Sequence, residues 1–256
     1  MISFLENTTI DFLLVLVRMM SYVFVMPIFS MRQIPNLTKI GFVVMIAYFT
    51  TMNLPAQPLE IDSLWQLAWL IIQETLLGLI LGYASTIIYA GIQGAGDLID
   101  FIAGLKMSAS FDPMTGTSSS IYSTLYNWFA IIIFLFMDGH HYLLKGITRS
   151  FDLFQLGQEY VNLLQLEAIV YLVTRSFIIS IQIALPIGII LFLIDLILGL
   201  ISKVIPQLNV FMLGMSLKML VSFGVHLLIL VGVLQAISWA LDSVVSIFDF
   251  FIRSLM

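Results

Sequence analysis

Cysteine is absent from this 256-residue chain, and charged side chains are scarce. Without cysteine the chain has no disulfide, no thiolate metal site and no cysteine nucleophile. Ten Lys and Arg against 15 Asp and Glu give a net charge of −5, and the absence of a basic stripe argues against nucleic-acid binding. Only 10% of the residues are charged and 61% are hydrophobic, so polar side chains cannot cover the apolar surface. The composition indicates a membrane protein or a member of a larger apolar assembly.

Long apolar blocks predict an all-α, polytopic membrane-class fold of about six helical segments. A spanning helix needs about 20 residues, and the blocks cover residues 12–31, 40–54, 64–93, 121–137, 163–201 and 208–241. The fifth block would extend ~58 Å as a single helix, longer than the hydrocarbon core of a bilayer. Pro186 lies inside that block and predicts a kink there. No basic residue precedes Arg18 and no cleavage pattern is visible, so we expect no removable signal peptide.

A few charged residues lie within the apolar blocks or just after one of them and are predicted to be buried polar groups, because such positions are costly next to lipid. They are Arg18, Glu74, Asp97, Asp100 and Asp195. Glu74 shares a helix face with Gly78 and Gly82, a spacing that allows close helix approach. Structural hydrogen bonding is the favoured role of Glu74, with proton transfer as the alternative. Arg18 is expected to form an internal polar seam with Asp11 or an ion pair with a partner.

Histidine offers little sign of a metal site. His140 and His141 are adjacent, and neighbouring side chains on a helix point about 100° apart, so a capping or interfacial role is favoured over metal ligation. His226 stands alone in an apolar block and is expected to be a hydrogen-bonded packing residue. No nucleophile and base form a recognisable pair, so we predict no enzymatic activity and no cofactor.

Two stretches combine proline with fixed charge, at residues 27–39 and 203–211, and a third stretch, at residues 111–120, has the composition of a loop. Three motifs occur in this order: Pro27, Arg32, Pro35 and Lys39 in the first stretch, the Phe-Asp-Pro-Met-Thr-Gly run that starts at Phe111, and Gly139-His140. They are followed by Ala184-Leu185-Pro186 and then by Gly199-Leu200 with Lys203, Pro206 and Gln207. Together these motifs resemble the FliR family, whose injectisome counterpart is SctT, over residues 12 to 240.

The resemblance implies a subunit of a type III protein export gate in the bacterial inner membrane, at the flagellar basal body. It implies a P-type-like half at residues 1–155 and a Q-type-like helical hairpin at residues 156–256, packed in a helical multi-subunit assembly. Expected partners are the FliP, FliQ, FlhB and FlhA subunits and unfolded flagellar substrates. The competing hypothesis is an independent secondary transporter of a small solute, although the inverted repeats typical of transporters are not visible.

The resemblance also implies roles for individual residues. The segment at residues 106–120 matches the family's plug, with candidate gate residues Lys106, Met107, Phe111, Asp112, Pro113, Met114 and Gly116. Apolar and flexible side chains suit a deformable seal. Candidate subunit contacts are Arg32, Pro35, Lys39, Lys203, Pro206, Gln207, Asn209 and Phe211.

Overall fold

The computed structural model describes residues 2–27, 29–30, 34–54, 63–107, 120–157, 166–205 and 210–254. These residues form seven α-helices and one 3₁₀ turn, so the prediction of an all-helical chain is confirmed. The helices are α1 (Ile2–Val25), α2 (Asn36–Asn53), α3 (Leu64–Ile102), α4 (Ile121–Phe136), α5 (Gly139–Leu153), α6 (Leu166–Val204) and α7 (Val210–Ser254). The 3₁₀ turn follows α3 at Leu105–Met107.

Helix α5 was not among the predicted apolar blocks. Its buried residues Leu143, Ile147 and Phe151 recur at the spacing of one helix face, while the opposite face is polar, so its mean hydropathy stays below that of a block. The chain bends by 73° between α4 and α5. Asp138 stands at this bend in the left-handed region, with φ 53°. The stretch that follows the fourth apolar block therefore begins with a sharp turn.

Three helices are long and apolar enough to cross a membrane among the described residues: Leu64–Ile102, Ile169–Val204 and Leu213–Ser243. The bent pair of α4 and α5 gives a fourth candidate if it is counted as one span. Six apolar blocks therefore correspond to three or four candidate spans. Helix α6 runs without interruption through Pro186, so this proline does not end the helix.

The chain divides into two compact units, each assembled from separate stretches of sequence. Unit 1 contains residues 1–87, 138–172 and 244–256, and unit 2 contains residues 88–137 and 173–243. Helix α3 contributes its first part to unit 1 and its second part to unit 2. Each unit therefore contains residues from both halves of the chain. The division near residue 155 that the resemblance implies stays a prediction.

Close approach of α1 and α3 organises unit 1. A Cβ on Gly78 would collide with the Arg18 carbonyl and the Ser21 hydroxyl. A Cβ on Gly82 would lie 2.9 Å from the Cβ of Val25. One turn further on, the Thr86 hydroxyl donates to the Val25 carbonyl at 3.0 Å. The close contact predicted from the glycine spacing is confirmed.

Small residues also bring helices together in unit 2. The Ser180 hydroxyl of α6 donates to the Gly91 carbonyl of α3 at 2.7 Å. A Cβ on Gly91 would lie 2.8 Å from the Ser176 carbonyl, and one on Gly96 would overlap the backbone of α4 at Tyr122 and Ser123. Helix α3 thus presents glycine to α1 in one unit and to α4 and α6 in the other.

The glycine contacts predict that Gly78→Ala destabilises the protein. The added methyl has no space against α1, and overpacking of this kind costs about 1–3 kcal/mol. Gly41→Ala is the matched control, because nothing lies within 4 Å of a Cβ at Gly41 and replacing a helical glycine with alanine is otherwise favourable. Thermal unfolding of the purified protein, followed by tryptophan fluorescence, should give a lower Tm for Gly78→Ala alone. Equal Tm values for the two variants would contradict the close contact.

Candidate functional site: two charge clusters

A fully buried arginine lies at the centre of unit 1. The side chain of Arg18 is 0% exposed and that of Glu74 is 2% exposed. Arg18 Nη2 donates to Glu74 Oε1 at 2.9 Å, and Arg18 Nε pairs with the other carboxylate oxygen. Two parallel bonds between guanidinium and carboxylate make the strongest and most directional kind of ion pair. This pair joins α1 to α3.

The same guanidinium also holds the end of α5. Both Nη atoms of Arg18 donate to the Phe154 carbonyl at 3.0 Å, and Nη1 donates to the Ser150 carbonyl at 3.3 Å. The last carbonyls of a helix have no partner within the helix and carry partial negative charge, so a cation is favourable there. The Phe151 ring covers the guanidinium, with its centroid 4.2 Å from Arg18 Cζ. Arg18 therefore connects three helices that are far apart in sequence.

Of the two expectations for Arg18, the polar seam with Asp11 is wrong. Arg18 pairs with Glu74 across the α1–α3 contact, where the glycines let the two helices approach, and not with Asp11 on its own helix. Asp11 Oδ1 is buried without a hydrogen-bond partner among the described residues. Both oxygens of Glu74 are engaged by Arg18, a geometry that fits the structural role better than proton transfer.

The second charge cluster lies in unit 2, on either side of residues 108–119, which fall outside the described part of the chain. Asp97 Oδ1 is 2.8 Å from Lys106 Nζ, just before this segment. The same oxygen accepts a hydrogen bond from the Ser120 hydroxyl at 3.0 Å, just after it. One carboxylate on α3 thus contacts a residue on each side of the segment.

Asp100, one turn along α3, fixes the first residues of α4. Its carboxylate accepts the backbone N–H groups of Tyr122 at 3.1 Å and Ser123 at 3.2 Å. These amides lie in the first turn of α4, where N–H groups lack helical partners, and a carboxylate is favourable there. Ser120 occupies the N-cap position but makes no side-chain capping bond. Asp100 is fully buried and supplies the cap from a neighbouring helix.

The remaining predicted site residues are spread over the chain. Pro35 is the N-cap of α2, and Lys203 is exposed in the last turn of α6. Met107 and Phe211 belong to the 3₁₀ turn and to α7, where only their backbone is described. Nine candidates lie outside the described residues: Arg32, Phe111, Asp112, Pro113, Met114, Gly116, Pro206, Gln207 and Asn209.

Three predicted residues differ in burial from what was expected. Lys39, a candidate subunit contact, is only 5% exposed, and its Nζ lies 5.8 Å from the ring centroid of Phe24 on α1. The Asp97 side chain is half-exposed, at 44%. The Asp195 side chain on α6 is 46% exposed, and its Oδ1 lies 2.9 Å from Nζ of Lys218 on α7.

Comparison with known proteins agrees with the family resemblance of the sequence motifs. The family described as "Bacterial export proteins, family 1" matches residues 9–244. The chain belongs to the FliR/SpaR family. It is 37% identical over 227 residues to the flagellar biosynthetic protein FliR of Bacillus subtilis, covering 85% of this chain and 86% of the relative. It is also similar to FliR of Aquifex aeolicus, 24% identical over 97% of this chain and 96% of the relative.

A more distant FliR/SpaR relative is the surface presentation of antigens protein SpaR of Shigella flexneri. It is 26% identical over 154 residues, which cover 60% of this chain and 59% of the relative. Family membership makes the chain a component of the type III export apparatus. The helices and the family agree on a multi-pass membrane protein.

The arginine cluster predicts that Glu74→Gln and Arg18→Lys both destabilise the protein. Glu74→Gln leaves a buried guanidinium without its counter-charge, and lysine cannot reach Glu74 and the end of α5 together. Breaking a buried pair on one side costs about 3–5 kcal/mol. Lys145→Gln, which removes an exposed charge from α5, should have no effect. The measurement is the yield and Tm of the purified protein together with export activity.

The relation between yield and export separates the two roles of Glu74. A structural role requires that export by Glu74→Gln falls in proportion to the amount of folded protein. Loss of export with normal yield and Tm would instead support proton transfer by this carboxylate.

Proposed function

We propose that the chain is a structural, channel-forming subunit of the flagellar type III export gate, needed to move flagellar proteins across the inner membrane. The flagellar branch is favoured because the Bacillus subtilis FliR match covers 85% of the chain at 37% identity, against 60% at 26% for SpaR. In this role the protein forms part of a conduit for unfolded polypeptides and performs no reaction.

The anchoring of residues 108–119 carries the proposal. Asp97 contacts Lys106 at one end of this segment and Ser120 at the other, and Asp100 fixes the helix that follows. A plug must be held at its ends and yet yield when a substrate arrives. A half-exposed ion pair contributes only about 0.2–1 kcal/mol, which is weak enough to open. We assign the plug role to residues 106–120, with Met107, Phe111 and Met114 as seal-forming side chains.

The exposed apolar surface supports assembly with other subunits. Large hydrophobic side chains stay exposed on α2 (Met45, Phe49), on α6 (Phe192, Leu200) and on α7 (Leu228). Patches of this kind mark protein or membrane contacts. We propose FliP, FliQ, FlhB and FlhA as neighbours. The proposed contact residues are Arg32, Pro35, Lys203, Pro206, Gln207, Asn209 and Phe211.

The proposal that residues 156–256 are a Q-type-like hairpin is supported by the lengths of α6 and α7, which have 39 and 45 residues and flank the stretch at 205–209. Two helices of similar length separated by a short connection pack as antiparallel neighbours in helical proteins. A preceding P-type-like half would then contain α1 to α5.

The transporter hypothesis is less well supported. It was motivated by Glu74, Arg18 and a proline-broken helix, but Glu74 is paired with Arg18 and α6 continues through Pro186. Reconstitution distinguishes a gate subunit from an independent transporter. A gate subunit is expected to purify in a particle with P-type and Q-type partners, whereas solute uptake by the isolated chain in liposomes would support the transporter.

The anchored loop predicts that Asp97→Asn raises ion leakage through the assembled gate. Loss of about 1 kcal/mol from the contacts of Asp97 raises the ratio of open to closed gates about fivefold. The measurement is ionic conductance of the purified gate complex in planar lipid bilayers, with deletion of residues 107–118 as the fully open reference.

Asp152→Asn is the matched control, because it removes an exposed carboxylate on α5 that makes no contact with the residues on either side of the loop. It should leave conductance unchanged. Equal conductance of the wild-type complex, Asp97→Asn and the deletion variant, with assembly intact, would reject the plug.

A further inference from the structure

The part of α3 that belongs to unit 1 carries an exposed row of apolar and aromatic side chains. They recur at spacings of three, four and seven residues, which keeps them on one face of the helix. The members are Trp65, Trp69, Ile72, Leu76 and Tyr83, and each is between 46% and 87% exposed. Together they form the α3 stripe. An apolar face of this kind marks a contact with lipid or with protein.

The charged residue and the two threonines in this part of α3 leave little for water to solvate. Glu74 is paired with Arg18, and its side chain is 2% exposed. The Thr75 hydroxyl donates to a carbonyl of its own helix at 2.7 Å, and the Thr86 hydroxyl lies within hydrogen-bond distance of one carbonyl of α3 and one of α1. The Gln73 side chain is 5% exposed and so stays below the surface. Polar groups satisfied inside the protein make such a face compatible with hydrocarbon.

Amphipathic aromatic side chains stand at both ends of the α3 stripe. Trp65 is 87% exposed and Tyr83 is 64% exposed, and tryptophan and tyrosine are enriched where a membrane meets water. At 1.5 Å per residue the two lie about 27 Å apart along the helix axis, close to the hydrocarbon thickness of about 30 Å. Ile72 and Leu76, between them, have no polar side-chain atom. The stripe therefore has the length and the ends of the lipid-facing side of one membrane crossing.

Beyond Tyr83, polar side chains join those exposed on α3. Gln93 is exposed, and the Asp97 side chain is 44% exposed. Such groups are costly in hydrocarbon. With 39 residues, α3 is about 58 Å long, so only part of it fits in a hydrocarbon layer of about 30 Å. The exposed residues favour the first part.

We propose that the α3 stripe faces lipid and fixes the depth of unit 1 in the bilayer. Trp65, with Trp69 one turn further in, lies at one headgroup layer and Tyr83 at the other, while Ile72 and Leu76 contact acyl chains near the bilayer centre. A protein neighbour could also cover an apolar face, but it would not require aromatic side chains at two levels about one hydrocarbon thickness apart. This inference goes beyond the channel role and does not depend on it.

Spin labels on single cysteines test the proposal in the full-length protein in phosphatidylcholine vesicles. The chain has no cysteine of its own, so each label reports on one position: Gln66→Cys, Ile72→Cys, Leu76→Cys or Tyr83→Cys. Electron paramagnetic resonance measures collisions with oxygen, which concentrates in hydrocarbon, and with a nickel chelate, which stays in water. The oxygen-to-nickel collision ratio should be about tenfold higher at Ile72 and Leu76 than at Gln66 and Tyr83, because hydrocarbon excludes the polar chelate.

Gln93→Cys is the matched control, because it labels an exposed position on the same helix beyond the α3 stripe. Its label should collide freely with the nickel chelate. Ile72 and Leu76 report nearly the same depth, so either variant suffices where the other does not fold. The same depth profile is expected when the labelled chain is part of the purified gate complex in vesicles.

Three results would overturn the proposal. One is a collision ratio that stays constant from Gln66 to Tyr83. Another is weak collision with both reagents at Ile72 and Leu76, in the isolated chain or in the gate complex, which would show that protein covers the α3 stripe. The third is spin–spin broadening at these positions in the isolated chain, which would identify the occupant as a second copy.

Discussion

The buried guanidinium of Arg18 is the constraint on which unit 1 depends. A charge removed from water is tolerated only where counter-charge and hydrogen-bond acceptors surround it. Glu74 supplies the counter-charge, and the Phe154 and Ser150 carbonyls supply the acceptors. These groups come from α3 and from the end of α5, so α1, α3 and α5 have to arrive together before Arg18 is satisfied. The glycine at position 78 lets α3 come close enough to α1 for this to happen.

Unit 2 uses charge at helix ends in the same way. Asp100 caps the start of α4 from α3, as Arg18 closes the end of α5 from α1. In each case a side chain from a neighbouring helix satisfies backbone groups that the helix cannot satisfy itself. A chain with few charges thus places several of them where they fix the ends of helices and the angles between them. The start of α4 and the end of α5 are held by such contacts, while apolar packing supports the helices between them.

Much of the helical layout was predictable, because apolar blocks and the spacing of Gly78 and Gly82 depend on local sequence. The partners of Arg18 were not predictable, since Glu74 lies 56 residues away and backbone carbonyls at Phe154 and Ser150 have no sequence signature. Helix α5 was missed because its polar face lowers its hydropathy. The contacts of Asp97 with Lys106 and Ser120 were also missed, although Asp97 had been named among the polar groups expected to be buried.

The surface formed by α6 and α7 shows what the isolated chain leaves incomplete. Asp195 and Lys218 form an exposed ion pair within two helices that are apolar enough to span a membrane. Charged groups facing hydrocarbon are costly, and even a paired carboxylate keeps lone pairs that lipid cannot satisfy. Exposed Phe192 and Leu196 lie within one turn of Asp195. A surface that is too polar for lipid and too apolar for water is best covered by protein, which is the expected condition of one subunit taken from a larger assembly.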